Sequence, residues 1–224
     1  METIRQKSLL ILTLQAALCV AAPAPVFAQA GGNQATTSAG AEQSPAGKFV
    51  QDLGDKAISI LKNKNIGQDQ RDNQYHDMLR NAFDLPTIGH FVIGRAWDTA
   101  TPDQRQEYMK LFEALVTKIY GDRLSLYSGE RFHVKSVRQE NDQDMMVGSE
   151  VDHPNGGEPT SVDWRVRQKD GKIMVVDVIV EGVSQSVTQR QEYSSIIQRD
   201  GGKIDGLLET MRQKLQQSEQ GGGQ

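Results

Sequence analysis

Two carboxylates at the end of an apolar stretch are the residues whose spacing first suggests chemistry. Asp177 and Glu181 lie four residues apart in "VVDVIVEGVSQSV". On one strand they would point to the same face, ~13 Å apart at ~3.3 Å per residue. Glycosidases hold their paired carboxylates ~5 to 9.5 Å apart, so this spacing is too wide for that reaction. We therefore expect Asp177 to satisfy a buried donor, such as the Trp164 indole or a backbone N–H, and Glu181 to lie beside a helix N-terminus.

The other residue types that carry chemistry form no recognisable motif. The four histidines are scattered, and no two have the i, i+3 or i, i+4 spacing of a helical metal site. The sequence contains no HExxH, GxGxxG, GxxxxGK[ST] or GxSxG motif. We expect no catalytic residue, no metal and no cofactor.

Residues 1–28 have the order of a secretory signal peptide. Arg5 and Lys7 precede the apolar run Leu9–Val20, and "AAPAPVFAQA" offers a small-residue cleavage site. The run is shorter than the ~20 residues that a transmembrane helix needs. The only cysteine, Cys19, lies within the run, so the exported chain would have no disulfide to stabilise it.

The remaining chain is predicted to form one domain, residues 48–216. A flexible lead at 29–47 and a disordered tail at 217–224 are both rich in Gly, Gln and Ser. The domain length suits a single core that buries about two thirds of its unfolded surface. The formal net charge of −4 argues against nucleic acid as a partner, since such binding usually requires a basic patch.

The first half of the domain has apolar residues at helical spacing. In "TPDQRQEYMKLFEALVTKIYGDRL", Thr101 and Gln104 form a capping-box pattern and Pro102 suits the first turn. Asp84 before Leu-Pro is a second expected N-cap. We predict several amphipathic helices here, each with one side on an apolar surface.

The second half alternates as strands do. The dipeptide Asp170-Gly171 is a strong hairpin signal. A two-residue turn there would place Val166 opposite Val175 and Trp164 opposite Asp177. A slip of one residue would send Asp177 to the other face of the sheet.

These elements together predict an α+β fold. One curved antiparallel sheet of about four strands would pack against a helical N-terminal half and against C-terminal helices that begin near Gly182. The run Ile173–Val180 lacks alternation and needs cover on both faces. Either a filled core or an apolar pocket between sheet and helices is compatible with this pattern.

Five stretches occur in an order and spacing that are specific in combination. They are "FDLP…GRAW", "TPDQR", "DWRV", "DGK…DV" and "EGVS…QEYSSII". Together they resemble the MlaC, or toluene-tolerance, family of periplasmic lipid-binding proteins. The resemblance covers nearly all of Lys48–Leu215.

The resemblance implies transport without catalysis. Its members carry phospholipid through the periplasm between an outer-membrane lipoprotein complex and an inner-membrane ABC transporter with its MCE-domain partner, which maintains outer-membrane lipid asymmetry. By this resemblance the protein is expected to be a monomeric periplasmic carrier with bound lipid as cargo. The hopanoid-associated HpnM branch shares the pattern, so a hopanoid-type lipid stays an alternative cargo. No charged clamp for a headgroup is evident, which predicts weak headgroup selectivity.

The resemblance also implies which residues line the lipid pocket. Those on the sheet side are Trp164, Val166, Val178, Val180 and Val183. Those on the helix side are Phe91, Val92, Phe112, Leu115, Val116, Ile119 and Tyr193.

Two other functions stay open on the sequence alone. The first is a periplasmic enzyme that uses Asp177 and Glu181 in a cleft. The second is an interaction module whose core is filled.

Overall fold

The fold is a meander of strands set between two groups of helices. A computed structural model describes residues 38–63, 65–124 and 129–221. The predicted signal peptide lies outside these residues. The elements are α1 (Ser38–Ala41), α2 (Pro45–Lys62), α3 (Gln68–Ala82), α4 (Leu85–Ile93), α5 (Ala96–Thr99), α6 (Pro102–Leu124), β1 (Arg131–Gln139), β2 (Asp144–Asp152), β3 (Thr160–Lys169), β4 (Lys172–Val180), β5 (Val183–Ser184), α7 (Gln185–Arg199) and α8 (Asp205–Gly221).

Helical structure extends beyond the predicted domain bounds, 48–216, at both ends. Within the predicted lead, Ala41 and Ala46 are fully buried. Ser44 caps α2 by accepting a hydrogen bond from the Gly47 N–H at 3.0 Å. At the other end α8 continues through the first residues of the predicted tail to Gly221. The ordered domain therefore starts before Lys48, because small residues at its start pack into the core.

The sheet has five antiparallel strands in the order of the chain, β1-β2-β3-β4-β5. This arrangement confirms the predicted α+β class. The strand beyond the predicted four is β5, a two-residue segment in which Val183 pairs with Val180 of β4. The expected helix start near Gly182 is wrong, because Glu181 and Gly182 form a tight turn with φ of 49° and 77°. The helix α7 begins only at Gln185.

The predicted residue pairing between β3 and β4 is confirmed near the turn and is wrong farther from it. Val166 pairs with Val175, as the Asp170-Gly171 turn predicts. The register then shifts between Arg165 and Val166, so that Asp177 lies opposite Arg165. The pairing of Asp177 with Trp164 is therefore not formed, because a β-bulge inserts one extra residue into β4 and moves Asp177 along the ladder.

Trp164 instead bonds within the sheet. Its indole Nε1 donates to the Ser149 hydroxyl at 2.9 Å, and that hydroxyl donates to the Val162 carbonyl at 2.7 Å. The indole ring meets the rings of Phe83 and Phe132 edge-on, with centroids 6.5 Å and 6.0 Å away. These contacts fix the indole in the core beneath the sheet.

The core consists of two apolar clusters. The first cluster joins α2 and α3 to the sheet, and the second cluster joins α4, α6, α7 and α8 to one another. Central residues of the first are Val50, Leu79, Val134, Val147, Val166 and Val175. Central residues of the second are Val92, Tyr108, Phe112, Leu207, Leu208 and Met211.

The two expected N-caps hold the helices of the second cluster. Thr101 and Gln104 exchange hydrogen bonds at 2.9 Å and 3.2 Å at the start of α6, which is the predicted capping box. Asp84 accepts from the Thr87 N–H at 3.1 Å at the start of α4. Both contacts satisfy backbone donors that the first turn of a helix leaves free.

A buried ion pair joins β2 to β3. Asp144 is 4% exposed and accepts from Arg167 Nε at 2.6 Å and from an Arg167 terminal nitrogen at 3.0 Å. The hydrogen bonds from Arg167 lower the pKa of the Asp144 carboxyl below its ordinary value, against the opposing effect of burial.

Replacing Asp144 with Asn should lower the free energy of unfolding at pH 7 by on the order of 1.5–3 kcal/mol, as for hydrogen bonds to charged groups. Because the folded pKa is depressed, the ionised carboxylate favours the folded state above the unfolded pKa of ~3.9. The stability difference between the native protein and Asp144→Asn should therefore shrink as pH falls below about 4. Urea unfolding at several pH values measures it, with Asp142→Asn in the same turn as control. A difference that stays constant down to pH 2 would contradict this assignment.

Candidate functional site

A cavity of about 250 Å³ lies where the two clusters meet. It is bounded by β4, by the joint between α3 and α4, and by the helices α4, α6, α7 and α8. Its lining residues are Phe83, Leu85, Ile88, Val92, Phe112, Val116, Asp177, Val178, Gln185, Ser186, Gln189, Glu192 and Lys214.

The apolar wall of the cavity follows from helical spacing. Leu85, Ile88 and Val92 lie on one face of α4, and Phe112 and Val116 lie on one face of α6. These side chains present only carbon atoms to the cavity. A ligand that enters between them must therefore be apolar where it touches this wall.

The α3–α4 joint is attached to the sheet by its backbone. Phe83 forms an isolated parallel bridge with Val175, and the Asp84 N–H donates to the Val175 carbonyl at 3.0 Å. Phe83 thereby packs against the first cluster beside Val178 of β4. This attachment closes one end of the cavity.

Asp177 anchors the helix that forms the opposite wall. Asp177 is only 8% exposed. Its carboxylate oxygens accept hydrogen bonds from the Ser186 N–H at 3.1 Å and from the Ser184 hydroxyl at 2.6 Å. A further bond comes from the Val178 N–H at 2.9 Å. Ser184 in turn accepts from the Val187 N–H at 3.1 Å. The expectation that Asp177 satisfies buried donors is confirmed; they are the Val178 and Ser186 backbone N–H groups and the Ser184 hydroxyl, and not the Trp164 indole.

Glu181 is engaged elsewhere. It lies in the turn after β4, where its Oε1 accepts from the Ser161 N–H at 2.5 Å and its own N–H donates to the Ser161 carbonyl at 3.0 Å. Both bonds tie the turn to β3, and Asp177 bonds to α7. The structure therefore does not form the carboxylate pair that an enzyme using Asp177 and Glu181 would need. Among the residues that the structure describes, no three His, Cys, Asp or Glu side chains meet to hold a metal ion.

The mouth of the cavity is polar. Gln185, Gln189 and Glu192 lie along one face of α7, and Lys214 faces them from α8. Lys214 Nζ lies 2.5 Å from Glu192 Oε1, and Gln189 Nε2 donates to Glu192 Oε2 at 3.1 Å. The cavity therefore has an apolar wall on α4 and α6, the buried polar residues Asp177 and Ser186 where β4 meets α7, and a charged entrance.

Four of the residues predicted to line a pocket do line this cavity. They are Val92, Phe112, Val116 and Val178. The structure also brings in Phe83, Leu85 and Ile88, which the prediction omits. Leu85 and Ile88 share the helical stripe of Val92, and this spacing was the signal that could have identified them.

Several predicted pocket residues lie in the packed core instead. Leu115 and Tyr193 belong to the second cluster, and Val166 is buried in the first. Trp164 packs against the first cluster beside Phe83. The Tyr193 ring meets the Tyr108 ring edge-on, and burial raises the pKa of both phenols well above the ordinary value.

The remaining predicted residues do not line the cavity. Phe91 is 41% exposed and lies under the Arg190 guanidinium, 4.8 Å from it. Val183 is 54% exposed, because β5 turns it outward, and its strand partner Val180 is half-buried. Ile119 lies within α6, and its side chain falls outside the described residues.

Comparison with known proteins identifies the relatives of this fold. Residues 51–213 match the model of the MlaC protein family. The chain belongs to the MlaC family. The match covers the sheet and the helices α3 to α7 completely, together with most of α2 and the first half of α8.

Two curated proteins show the same relationship. The intermembrane phospholipid transport system binding protein MlaC of Haemophilus influenzae is 26% identical over 189 residues, which cover 81% of this chain and 87% of that protein. The toluene tolerance protein ttg2D of Pseudomonas putida is 26% identical over 110 residues, which cover 49% of this chain and 51% of that protein. The Haemophilus influenzae relative is named as a binding protein of a transport system, and the MlaC-family chain described here is not an enzyme.

A solved structure shares the fold. The phospholipid-binding protein of Ralstonia solanacearum, determined in complex with a phospholipid, superposes with a TM-score of 0.70 at 22% identity. The superposition covers 78% of this chain and 99% of that one. Within the described residues, no helix combines the length and apolar character needed to cross a membrane.

Replacing Asp177 with Ala should loosen the first turn of α7. The change removes the acceptor of the Ser186 N–H and the partner that orients the Ser184 hydroxyl. Amide hydrogen exchange at Ser186 and Val187 should accelerate about 5- to 150-fold, as expected for a loss of about 1–3 kcal/mol.

The control is Glu181→Ala, which removes a carboxylate from the adjacent turn but no contact to α7. It should leave exchange at Ser186 and Val187 unchanged. Equal acceleration in both variants would show that Asp177 is not the anchor of this helix.

Proposed function

We propose that this protein is a phospholipid carrier and that its cavity holds acyl chain. The observation that supports this proposal is the contrast between two parts of the cavity. Residues of α4, α6 and β4 form an apolar wall, and residues of α7 and α8 form a charged mouth. A phospholipid has the same division between its tails and its headgroup. Burying a tail is favourable by ~0.8 kcal/mol per CH₂, which is enough to retain a lipid without covalent attachment.

The size of the cavity suggests how loading takes place. Ligand pockets usually enclose about 300–1,000 Å³, and this cavity is slightly smaller at about 250 Å³. A complete phospholipid therefore needs more room than this cavity offers. We propose that loading separates Glu192 of α7 from Lys214 of α8, because this exposed ion pair lies at the polar end of the cavity.

The pathway of the cargo is a further part of the proposal. Relatives named as an intermembrane phospholipid transport binding protein and as a phospholipid-binding protein support phospholipid as the cargo. The signal-peptide pattern of residues 1–28 supports export to the periplasm. In this setting the protein would exchange phospholipid between an outer-membrane lipoprotein complex and an inner-membrane ABC transporter with an MCE-domain partner, and so maintain lipid asymmetry.

The first test is extraction of lipid from protein purified from its native periplasm. We expect phospholipid in the extract by mass spectrometry, and the same protein stripped of lipid should reload from phospholipid vesicles. An extract that contains only hopanoid would assign the cargo of the HpnM branch instead. Protein that carries no lipid and refuses loading would exclude a carrier.

Val178→Phe should fill the cavity from the sheet side. The ring would extend into the cavity and not into packed core, so the thermal midpoint should be unchanged or higher. The phospholipid retained per protein should fall at least several-fold, because the tail loses its place. Extraction and differential scanning calorimetry on the same sample measure both quantities.

The matched control is Val183→Phe, the same change at an exposed position outside the cavity. It should retain phospholipid as the native protein does. If Val183→Phe loses lipid and Val178→Phe retains it, the tail lies against the β4–β5 turn and not in this cavity.

A further inference from the structure

The ion pair at the mouth of the cavity contributes little to the stability of the fold. Lys214 of α8 and Glu192 of α7 are 44% and 46% exposed, and they lie 2.5 Å apart. Exposed ion pairs contribute little to stability, because water and salt screen them. Among the described residues that line the cavity, Lys214 is the only cation. A ligand at the mouth would therefore meet one exposed positive charge and one exposed negative charge.

The partial positive charge at the N-terminus of α7, which also lies near the cavity, is already neutralised by hydrogen bonds within the protein. The N-terminus of α7 directs backbone N–H groups toward this region, and helix N-termini often bind phosphate. Here the Ser186 N–H donates to Asp177 and the Val187 N–H donates to Ser184. A phosphate group would have to displace a buried carboxylate to bind there. Lys214 is consequently the group that remains for an anion.

We propose that Lys214 and Glu192 form a subsite for a zwitterionic phospholipid headgroup, with the phosphate on Lys214 and the ammonium group on Glu192. The inference rests on the proposed carrier function. When the two side chains separate, each loses its counter-charge. A headgroup such as phosphoethanolamine supplies both missing charges at once, and its tails remain in the apolar cavity.

The same geometry disfavours an anionic headgroup. The phosphate of phosphatidylglycerol would neutralise Lys214 but would leave Glu192 unpaired beside a second negative charge. The structure thus gives the mouth a preference that the sequence did not reveal, since Glu192 and Lys214 are distant in the chain and meet only where α7 crosses α8.

The test uses lipid-stripped protein incubated with vesicles of equimolar phosphatidylethanolamine and phosphatidylglycerol. Bound lipid is extracted and both species are counted by mass spectrometry. The native protein should enrich phosphatidylethanolamine about 1.5- to 5-fold over the vesicle composition, the range expected for exposed charge pairs. Glu192→Gln should lose this enrichment while total loading stays the same.

Charge reversal separates headgroup contact from simple loosening of the mouth. Glu192→Lys places two cations at the mouth and should favour phosphatidylglycerol. The double variant with Glu192→Lys and Lys214→Glu restores one charge of each sign and should recover the preference for phosphatidylethanolamine. Glu150→Gln is the matched control, because it breaks the comparable exposed pair with Lys135 on β1 and β2, away from the cavity.

The outcomes distinguish the two proposals. The first outcome is that the native protein and Glu192→Gln both load normally and both bind the two lipids in the ratio present in the vesicles. This result overturns the headgroup subsite and leaves the carrier function intact. No loading of the native protein from these vesicles overturns both. Inorganic phosphate should change the ratio no more than sodium chloride at the same ionic strength, because it supplies no ammonium group; if phosphate abolishes a preference that chloride leaves in place, the mouth binds a lone anion and the zwitterion assignment is wrong.

Discussion

The position of α7 relative to the sheet depends on one buried carboxylate. Asp177 interrupts the apolar course of β4 with a charge that would be costly to bury unless several donors compensated it. The donors come from Val178 beside it and from Ser184 and Ser186 at the start of α7. A negative charge at a helix N-terminus is also favoured by the helix dipole. The strand β4 and the helix α7 are thus joined by a polar contact inside an otherwise apolar region.

This joint explains how a cavity can exist in a well-packed domain. The first cluster fills the space beneath the sheet, and the second fills the space among the helices. Asp177 holds α7 at its N-terminal end and Phe83 holds the α3–α4 joint on β4, and the cavity lies between these two attachments. Empty apolar volume normally costs stability. A binding protein tolerates that cost, because its ligand restores the missing contacts.

Turns and helix caps that depend on neighbouring residues could be predicted from the sequence, and contacts between distant segments could not. The Thr101–Gln104 capping box and the Asp170-Gly171 hairpin are set by neighbouring residues, and both form as predicted. The Glu181-Gly182 turn has the same acid–Gly pattern and was missed, because the polar residues after it resemble a helix start. The bulge in β4 depends on how that strand meets β3, so spacing alone could not place Asp177. For the cavity, the stripes of α4 and α6 were predictable in part, whereas the pairing of Glu192 with Lys214 depends on the crossing of two helices.

The backbone bridge from Phe83 to Val175 also determines when the cavity can close. It joins the end of α3 to a strand that follows α4–α6 and β1–β3 in the chain. During synthesis or translocation from the N-terminus, the helical half is complete before β4 exists. Until that strand arrives, the apolar faces of α4 and α6 have no sheet to cover them, and contacts so far apart in sequence form slowly. The surface that later receives the ligand is therefore the surface that a chaperone would have to shield while the chain is still emerging.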